Sequence, residues 1–169
     1  KIIFDEYSTG TDPKAQIEVD QTDSSNASMR FYTEDSGTLS EKMRITSVGA
    51  IGVGTDSPDG RLHVHRESAG SVTAAGDANE LVLENSANVG MSFLTANNSL
   101  ARIKFGDPDA TNAGIIIYSH VDNSLRFQHT SNERLRIDSS GRLLIGTTAA
   151  RVESNGFAAP LQVEGTGTA

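Results

Sequence analysis

The chain has 169 residues, of which 36% are hydrophobic and 5% aromatic, and it contains neither Trp nor Cys. The lack of Cys excludes disulfides and thiolate metal sites, and the formal net charge of −8 disfavours a nucleic-acid partner, whose phosphates require clustered Lys and Arg. A hydrophobic content of 36% with few aromatic residues leaves a thin core, so we expect stacked repeats or identical chains to supply the missing burial.

Short runs of alternating apolar and polar residues predict β-strands, because successive side chains on a strand point to opposite faces. No stretch shows the sustained period of a helix. In chain order, the predicted strands cover residues 1–4, 17–19, 29–32, 42–46, 51–53, 62–65, 81–83, 91–94, 103–105, 115–118, 125–127, 134–138, 143–145 and 161–163. The predicted fold class is therefore all-β.

Turn residues separate these strands. Gly49 and Gly141 each end a three-residue turn between two strands, where a positive φ suits a tight hairpin. The runs 56–60 (Asp-Ser-Pro-Asp-Gly) and 106–109 (Gly-Asp-Pro-Asp) also predict turns. Short strands at regular spacing usually indicate a sandwich or a barrel, but the long repeat described next favours a β-rich fibre.

The chain repeats itself at long period. Residues 41–55 and 133–147 align without gaps at an offset of 92 residues (133 − 41), and seven of the fifteen pairs are identical. Residues 1–4, 29–31 and 62–64 resemble 102–105, 125–127 and 161–163 in the same order. We therefore predict the end of one repeat unit (1–55), one complete unit (56–147) and the start of a further unit (148–169), with both ends cut from a longer array.

Eight apolar residues of the two motif copies are predicted to form the structural core. In the run 42–46, Met43 and Ile45 share one strand face, while Lys42 and Arg44 share the other. We expect the apolar face to meet the same face of other copies at a common axis. The predicted core residues are Met43, Ile45, Ile51, Val53, Leu135, Ile137, Leu143 and Ile145.

The sequence lacks the parts of the common catalytic and cofactor sites. The run Gly52-Val53-Gly54 has no third Gly of a dinucleotide fingerprint, and no Gly-Lys-Ser/Thr run or Gly-x-Ser-x-Gly elbow occurs. We therefore predict no enzyme activity, no catalytic residues and no cofactor. No apolar run approaches the roughly 18 residues of a membrane span, so no membrane insertion is predicted.

Two groups of residues raise the question of a metal. Asp107, Asp109 and Asn112 could offer oxygens to Ca²⁺, although these residue types also populate turns for their own hydrogen bonds. His63 and His65 lie two apart on a predicted strand, so both rings point to one face, and three copies could meet around a transition metal. However, Leu62 and Val64 are expected to face the core, which would turn both histidines to solvent. No metal is therefore predicted, with His63 and His65 as the weak candidates.

The motif copies resemble a known group of proteins. The run Glu-Arg-Leu-Arg-Ile-Asp-Ser-Ser-Gly-Arg-Leu-Leu-Ile-Gly-Thr at 133–147, with its degenerate copy at 41–55, resembles repeats of tail-fibre and other appendage proteins of tailed bacteriophages. The run Ser-Pro-Asp-Gly-Arg-Leu-His-Val at 57–64 is similar to the Ser-Pro-x-x-x-Leu-His-Val that follows Gly-x-Gly-Thr in that group. The resemblance covers most of the chain.

This resemblance implies an elongated homotrimeric fibre, built as an intertwined β-helix or from small β-sandwich or prism units. It implies a location in the virion, as an extracellular appendage, and other virion proteins as partners. Such fibres often end in a self-cleaving intramolecular chaperone domain, and nothing in this sequence matches that domain. The function implied is a structural shaft or spacer of a fibre involved in host attachment.

Three other functions remain open. The Gly/Ala/Ser-rich stretch 67–79 could form an exposed loop that binds a glycan of the host surface. Against this adhesive function, Trp is absent, and Phe31 and Phe127 recur at matching repeat positions, which favours packing over sugar stacking. A polysaccharide depolymerase and a decoration fibre of the capsid are the other two.

Overall fold

The computed structural model describes residues 1–5, 13–21, 23–152, 156 and 159–164. Within these residues the chain forms thirteen β-strands and no helix, which confirms the all-β prediction. No helix in this described part is long and apolar enough to cross a membrane. The chain divides into two compact units, Lys1–Met91 and Ser92–Ala169, and each unit contains one open sheet.

The first sheet has seven strands that are hydrogen-bonded in chain order. They are β1 (Ile2–Asp5), β2 (Pro13–Gln21), β3 (Ala27–Asp35), β4 (Thr38–Ile45), β5 (Ile51–Val53), β6 (Leu62–His65) and β7 (Leu81–Glu84). Strands β1 to β5 are antiparallel, whereas β5, β6 and β7 are parallel. Only residues 54–61 connect β5 to its parallel neighbour β6, although such crossovers usually need about a dozen residues or more.

The second sheet has six strands, again in chain order. They are β8 (Leu100–Phe105), β9 (Gly114–Ser119), β10 (Ser124–His129), β11 (Asn132–Ile137), β12 (Leu143–Ile145) and β13 (Leu161–Val163). Strands β8 to β12 are antiparallel, and β12 and β13 are parallel. The sheet therefore repeats the order and directions of β1 to β6.

The repeat is visible in individual hydrogen bonds. Thr46 N donates to Ala50 O over 2.9 Å, and 92 residues later Asp138 N donates to Arg142 O over 3.0 Å. The glycines of the two turns, Gly49 and Gly141, have φ values of 79° and 77°. The positive φ predicted from the sequence is thus confirmed, and the two motif copies have the same turn.

One predicted strand is wrong. Residues 91–94 form no strand, and the boundary between the two compact units falls between Met91 and Ser92. Leu94 is 91% exposed. The short apolar run has the composition of a strand, but a strand also requires a neighbour for its backbone groups, and none pairs with it here.

The predicted repeat boundaries differ in phase from the compact units. The unit Lys1–Met91 combines the predicted 1–55 segment with β6 and β7, which belong to the predicted segment 56–147. The compact units contain one sheet each, whereas the predicted boundaries follow the motif copies. The start at residue 56 and the further unit at 148–169 therefore stay predictions about the sequence.

A β-bulge interrupts the alternation predicted for the run 42–46. Phe31 pairs with Met43 and Tyr32 with Glu41, which leaves Lys42 as the extra residue. The bulge brings Glu41 to the face of Arg44, and the Glu41 carboxylate accepts two hydrogen bonds from that guanidinium, of 2.6 and 2.8 Å. In the second sheet Arg134 is the extra residue, and Glu133 pairs with Arg136 in the same way.

The bulged glutamates lie between arginines that face each other across neighbouring strands. Arg126 is directly opposite Arg136, and Glu133 binds Arg136 and also lies 3.6 Å from Arg126 Nε. Asp122 completes the network through Arg126 and Ser124, whose hydroxyl donates over 2.8 Å. Like charges directly opposite on a sheet are destabilising, so these carboxylates make the arginine pairing tolerable.

Gly54 and Gly146 occupy equivalent positions directly after β5 and β12. Their φ values are 78° and 74°, and a Cβ at either position would overlap a backbone carbonyl oxygen, of His65 or Glu164 respectively. We predict that Gly54→Ala lowers the free energy of unfolding by about 3–5 kcal/mol, the cost of a left-handed Ala plus the overlap. Urea denaturation of the variant measures this change.

Gly49→Ala is the matched control, because Gly49 has the same φ of 79° but nothing within 4 Å of an added Cβ. Its expected cost is about 1–2 kcal/mol, from the backbone conformation alone. Equal losses in the two variants would contradict the close approach of β6 to Gly54.

Asp122 gives a prediction about acid stability. Burial tends to raise the pKa of this carboxyl, but the Ser119 and Ser124 hydroxyls and the Arg126 guanidinium outweigh burial and lower its pKa from 3.8 to about 2. A lowered pKa adds stability above pH 3.8 that is lost as the pH falls through about 2. Between pH 5 and pH 2, the urea midpoint of Asp122→Asn should therefore fall less than that of the wild type. Asp77→Asn, at an exposed aspartate, is the control, and its urea midpoint should fall as much as that of the wild type. If the midpoint of Asp122→Asn also fell as much as that of the wild type, the lowered pKa of Asp122 would be contradicted.

Candidate functional site

Two rows of apolar side chains cross the first sheet on one face. The strand register places their members directly opposite one another from strand to strand, and opposite residues share a face. One row contains Ile2, Ile17, Phe31, Met43, Val53, Val64 and Leu83; the other contains Val19, Met29, Ile45, Ile51, Leu62 and Leu81. None of these side chains is buried in the single chain.

The second sheet carries the same two rows. Its register aligns Ile103, Ile116, Phe127, Leu135, Ile145 and Val163 in one row, and Ala101, Tyr118, Leu125, Ile137, Leu143 and Leu161 in the other. All of these side chains also stay half-buried or exposed. We call the two pairs of rows the apolar faces of the two sheets.

All eight predicted core residues lie in these rows. Met43 and Ile45 share a face as predicted, and so do Leu135 and Ile137. The single chain only half-buries seven of the eight residues, and Ile137 is exposed. Their role as a core shared between copies remains a prediction.

The most buried apolar residues lie on the opposite face of the second sheet. Among the residues that the structure describes, only Ile115, Ile117 and Leu144 are fully buried apolar side chains. In the register Ile117 lies between Arg102 and Arg126, and the stems of such long side chains cover apolar surface. These three residues were not among the predicted core, although the uninterrupted apolar runs at 115–117 and 143–145 were a signal that both faces are covered.

The expectation that both histidines of β6 point to solvent is wrong for His63, which is 2% exposed. Both rings do lie on one face, with centroids 5.6 Å apart, and Leu62 and Val64 lie on the other. The prediction that the two histidines share one face is confirmed. The prediction that Leu62 and Val64 lie on the covered face is wrong, because in the single chain the face of His63 is the buried one. His63 is therefore covered by its own chain in this structure.

His63 has two neighbours in its own chain. The backbone N–H of Asp59 donates to His63 Nδ1 over 3.1 Å, and Nε2 lies 3.1 Å from Glu84 Oε2. Although that distance permits an ion pair when His63 is protonated, Nε2 makes no well-aligned hydrogen bond. Glu84 also lies 3.9 Å from His65 Nε2, so one carboxylate serves both rings.

Asp59, His63 and Glu84 bring possible metal ligands within 4.8 Å of one another. The hydrogen bond from Asp59 nevertheless requires a lone pair on Nδ1, which places the proton of the neutral ring on Nε2. A metal needs a lone pair on the nitrogen that it binds, and Nε2 then has none. The cluster therefore suits a hydrogen-bonded staple of the 56–60 turn better than a metal site.

The second sheet has Gln162 at the position of His63. Gln162 Oε1 accepts a hydrogen bond from Arg151 N over 2.7 Å, and its Nε2 donates to Arg151 O over 2.8 Å. Both side chains thus bind the backbone of the connection that precedes their strand. The two equivalent residues thus have the same hydrogen-bonding role although they differ in type, so the role does not require a second histidine.

Glu84 also fastens the 67–79 segment, the candidate loop for glycan binding. Ala69 N donates to Glu84 Oε1 over 2.7 Å; this bond, together with the His65 and His63 rings, lowers the pKa of Glu84. A cavity of about 220 Å³ lies between this segment and β7. Its lining contains Asp59, Glu84, Thr73 and Asn85 but no aromatic ring, and an aromatic platform is what sugar stacking would use.

At the Ca²⁺ alternative, 107–112, two of the candidate oxygens accept local hydrogen bonds. Asp107 Oδ1 accepts hydrogen bonds from Asp109 N and Ala110 N, of 2.9 and 2.7 Å, as in an Asx turn. Asn112 Oδ1 accepts from Lys104 Nζ over 2.8 Å. These contacts agree with the turn predicted for 106–109.

No protein-family model matches the chain. No curated protein matches it significantly.

Replacing His63 tests its role as a staple. His63→Gln can still accept from Asp59 N, as Gln162 accepts from Arg151, so the expected loss of stability is below about 1 kcal/mol. His63→Leu leaves the half-buried Asp59 N–H without its acceptor, and we expect a loss of about 1–3 kcal/mol. Urea denaturation of both variants measures these losses. A His63→Leu protein as stable as His63→Gln would contradict the stabilisation of the 56–60 turn by His63.

Proposed function

We propose that the chain is a structural repeat module of a fibre, a shaft or spacer in which identical copies associate through the apolar faces of their sheets. The two apolar rows of each sheet carry this proposal. They span every strand of both sheets, yet a single chain leaves all of them half-buried or exposed. Apolar surface of this extent usually marks an interface.

The proposed stoichiometry and setting rest on the resemblance of the sequence motif. Its resemblance to bacteriophage appendage repeats supports a homotrimer in a tail fibre or related virion appendage involved in host attachment, with other virion proteins as partners. The net charge of −8 and the exposed polar connecting segments are those of a chain whose remaining surface is in contact with water.

Adhesion through the 67–79 segment is the less favoured alternative. The cavity beside the segment offers a ligand some enclosure, but its wall consists mainly of small and branched apolar side chains such as Val72, Ala74 and Val82. A glycan presents hydroxyl groups that need many polar partners, and the C–H faces of its sugar rings stack on aromatic side chains. The geometry therefore supports a spacer more than a lectin.

Substituting one valine in the apolar face tests the proposal. Val53 is half-buried in a row of the first sheet, and a carboxylate there would have to be desolvated on association. Sedimentation should give the wild-type chain a mass three times that of one chain, which is 17.9 kDa. Val53→Asp should lower the association constant by at least about tenfold and so shift the population towards the monomer.

Val48→Asp is the control, because Val48 lies in the turn before β5 and is 74% exposed. It should leave the mass unchanged. Circular dichroism shows whether both variants keep their strands. A monomeric wild type at high concentration, or equal effects of the two substitutions, would refute association through the apolar faces.

A further inference from the structure

His63 holds the 56–60 turn through a hydrogen bond that only its uncharged ring can accept. The backbone N–H of Asp59 donates to Nδ1 over 3.1 Å, and a backbone N–H can only donate, so Nδ1 must offer a lone pair. The neutral ring therefore has its proton on Nε2, which lies 3.1 Å from Glu84 Oε2. A second proton can bind only at Nδ1, where it would face the Asp59 N–H.

The neighbouring His65 responds to a second proton in the opposite way. Its Nδ1 lies 3.2 Å from the carbonyl oxygen of Gly54, which can only accept, so Nδ1 carries the proton of the neutral ring. The lone pair is then on Nε2, 3.9 Å from Glu84 Oε1. A second proton there keeps the contact with Gly54 and adds a charge attraction to Glu84. Of these two histidines, only His63 loses a hydrogen bond on protonation.

Two carboxylates face the His63 ring. One oxygen of Asp59 in the turn and one of Glu84 on β7 lie within 4.8 Å of a ring nitrogen and of each other. Opposite charges at this distance favour the charged form of a histidine. The ring can therefore stay in its place when it takes up a proton, and the Asp59 N–H is the group that turns away.

The arginines nearest to His63 in the sheet have other partners. Arg44 of β4 lies two strands away in the same row, and its guanidinium donates to Glu41. Arg61 precedes β6, and its guanidinium donates to Val48 O over 3.3 Å. The strand between β4 and β6, β5, contains no charged residue. Both guanidinium groups thus bind groups other than the His63 ring.

The second sheet makes the equivalent contact with a side chain that does not titrate near neutral pH. Gln162 Oε1 accepts from Arg151 N, and Gln162 Nε2 donates to Arg151 O. An amide offers the same acceptor whatever the proton concentration in this range. The Arg151 N–H is therefore an internal reference for the Asp59 N–H.

The part of the connection that depends on the His63 ring is short. Arg61 N donates to Asn79 O, and Ile51 N donates to Arg61 O, both over 2.8 Å, so the end of the connection is held without His63. Asp59 also lines the cavity of about 220 Å³ beside the 67–79 segment. Loss of the bond to His63 therefore loosens one wall of that cavity and leaves β5 and β6 paired.

We propose that His63 is a pH-sensitive switch, which holds the 56–60 turn while its ring is neutral and releases the turn when the ring is protonated. The signal is a fall in pH through the range in which histidines change charge, from about pH 8 to about pH 5. The added proton occupies Nδ1, the Asp59 N–H leaves the ring, and Glu84 retains the charged ring. The equivalent contact of the second sheet does not respond. This switch is independent of the proposed fibre function.

NMR of the full 169-residue chain, labelled with ¹⁵N, tests the switch. The His63 ring signals should show an unprotonated Nδ1 at about pH 8 and protons on both nitrogens at about pH 5. The amide proton signal of Asp59 should move upfield with the same midpoint, because it loses its acceptor. The protection of this amide against hydrogen exchange, corrected for the intrinsic effect of pH, should fall about twofold to tenfold. The Arg151 amide should show no step at that midpoint.

His63→Gln removes the titrating ring and keeps an acceptor for Asp59 N, as Gln162 does for Arg151. Its Asp59 amide signal should show no step between about pH 8 and about pH 5. His65→Gln is the matched control, because it removes the other histidine of β6 and leaves Nδ1 of His63 in place. The step should remain in this variant.

Three results would overturn the proposal: a wild-type Asp59 amide signal without a step, the same step in His63→Gln, or a His63 ring that already carries a proton on Nδ1 at about pH 8. The first and third are measured on the wild-type chain, so the test does not depend on the folding of a variant. None of these readouts involves the association of copies, so the failure of the switch and the failure of the fibre proposal are distinguishable.

Discussion

The backbone after β5 must approach the end of β6 more closely than any side chain would allow. The carbonyl oxygen of His65 occupies the space that a Cβ on Gly54 would need, and Glu164 has the same relation to Gly146. This approach lets a connection of only residues 54–61 bring β6 into parallel pairing with β5. Without it, the apolar rows would end at β5 and the histidine face would lose its neighbour Glu84.

A second constraint acts on the opposite face of each sheet. The register sets Arg30 opposite Arg44 and Arg126 opposite Arg136, an arrangement that repels unless a carboxylate lies between them. In a strand with strict alternation, Glu41 would point to the opposite face from Arg44, because the two residues are three positions apart. The bulge at Lys42 removes that difficulty, because the extra residue returns Glu41 to the arginine face. The spacing Glu-x-x-Arg is therefore part of the fold and needs no catalytic explanation.

Sequence reasoning succeeded where a local rule decides the structure. Alternation predicts that Met43 and Ile45 share a face, and the Ser-Val-Gly turn predicts the positive φ of Gly49. It failed where the outcome depends on what lies above a face. His63 is buried because the 56–60 turn and β7 cover it, and neither contact can be read from the two-residue period. Residues 91–94 failed for a related reason, since an apolar run becomes a strand only beside a partner.

The two sheets differ most in their connections and least in their apolar faces. Gly52 and Leu144 hold equivalent positions on the covered face, as do His63 and Gln162, and in each case the surroundings differ with the residue. On the apolar faces the members of each row are exchanged only for other apolar residues, such as Val53 for Ile145. A surface used only inside one chain would be free to vary together with its loops. A surface that meets the same surface of another copy, as the proposed association requires, is not free in this way.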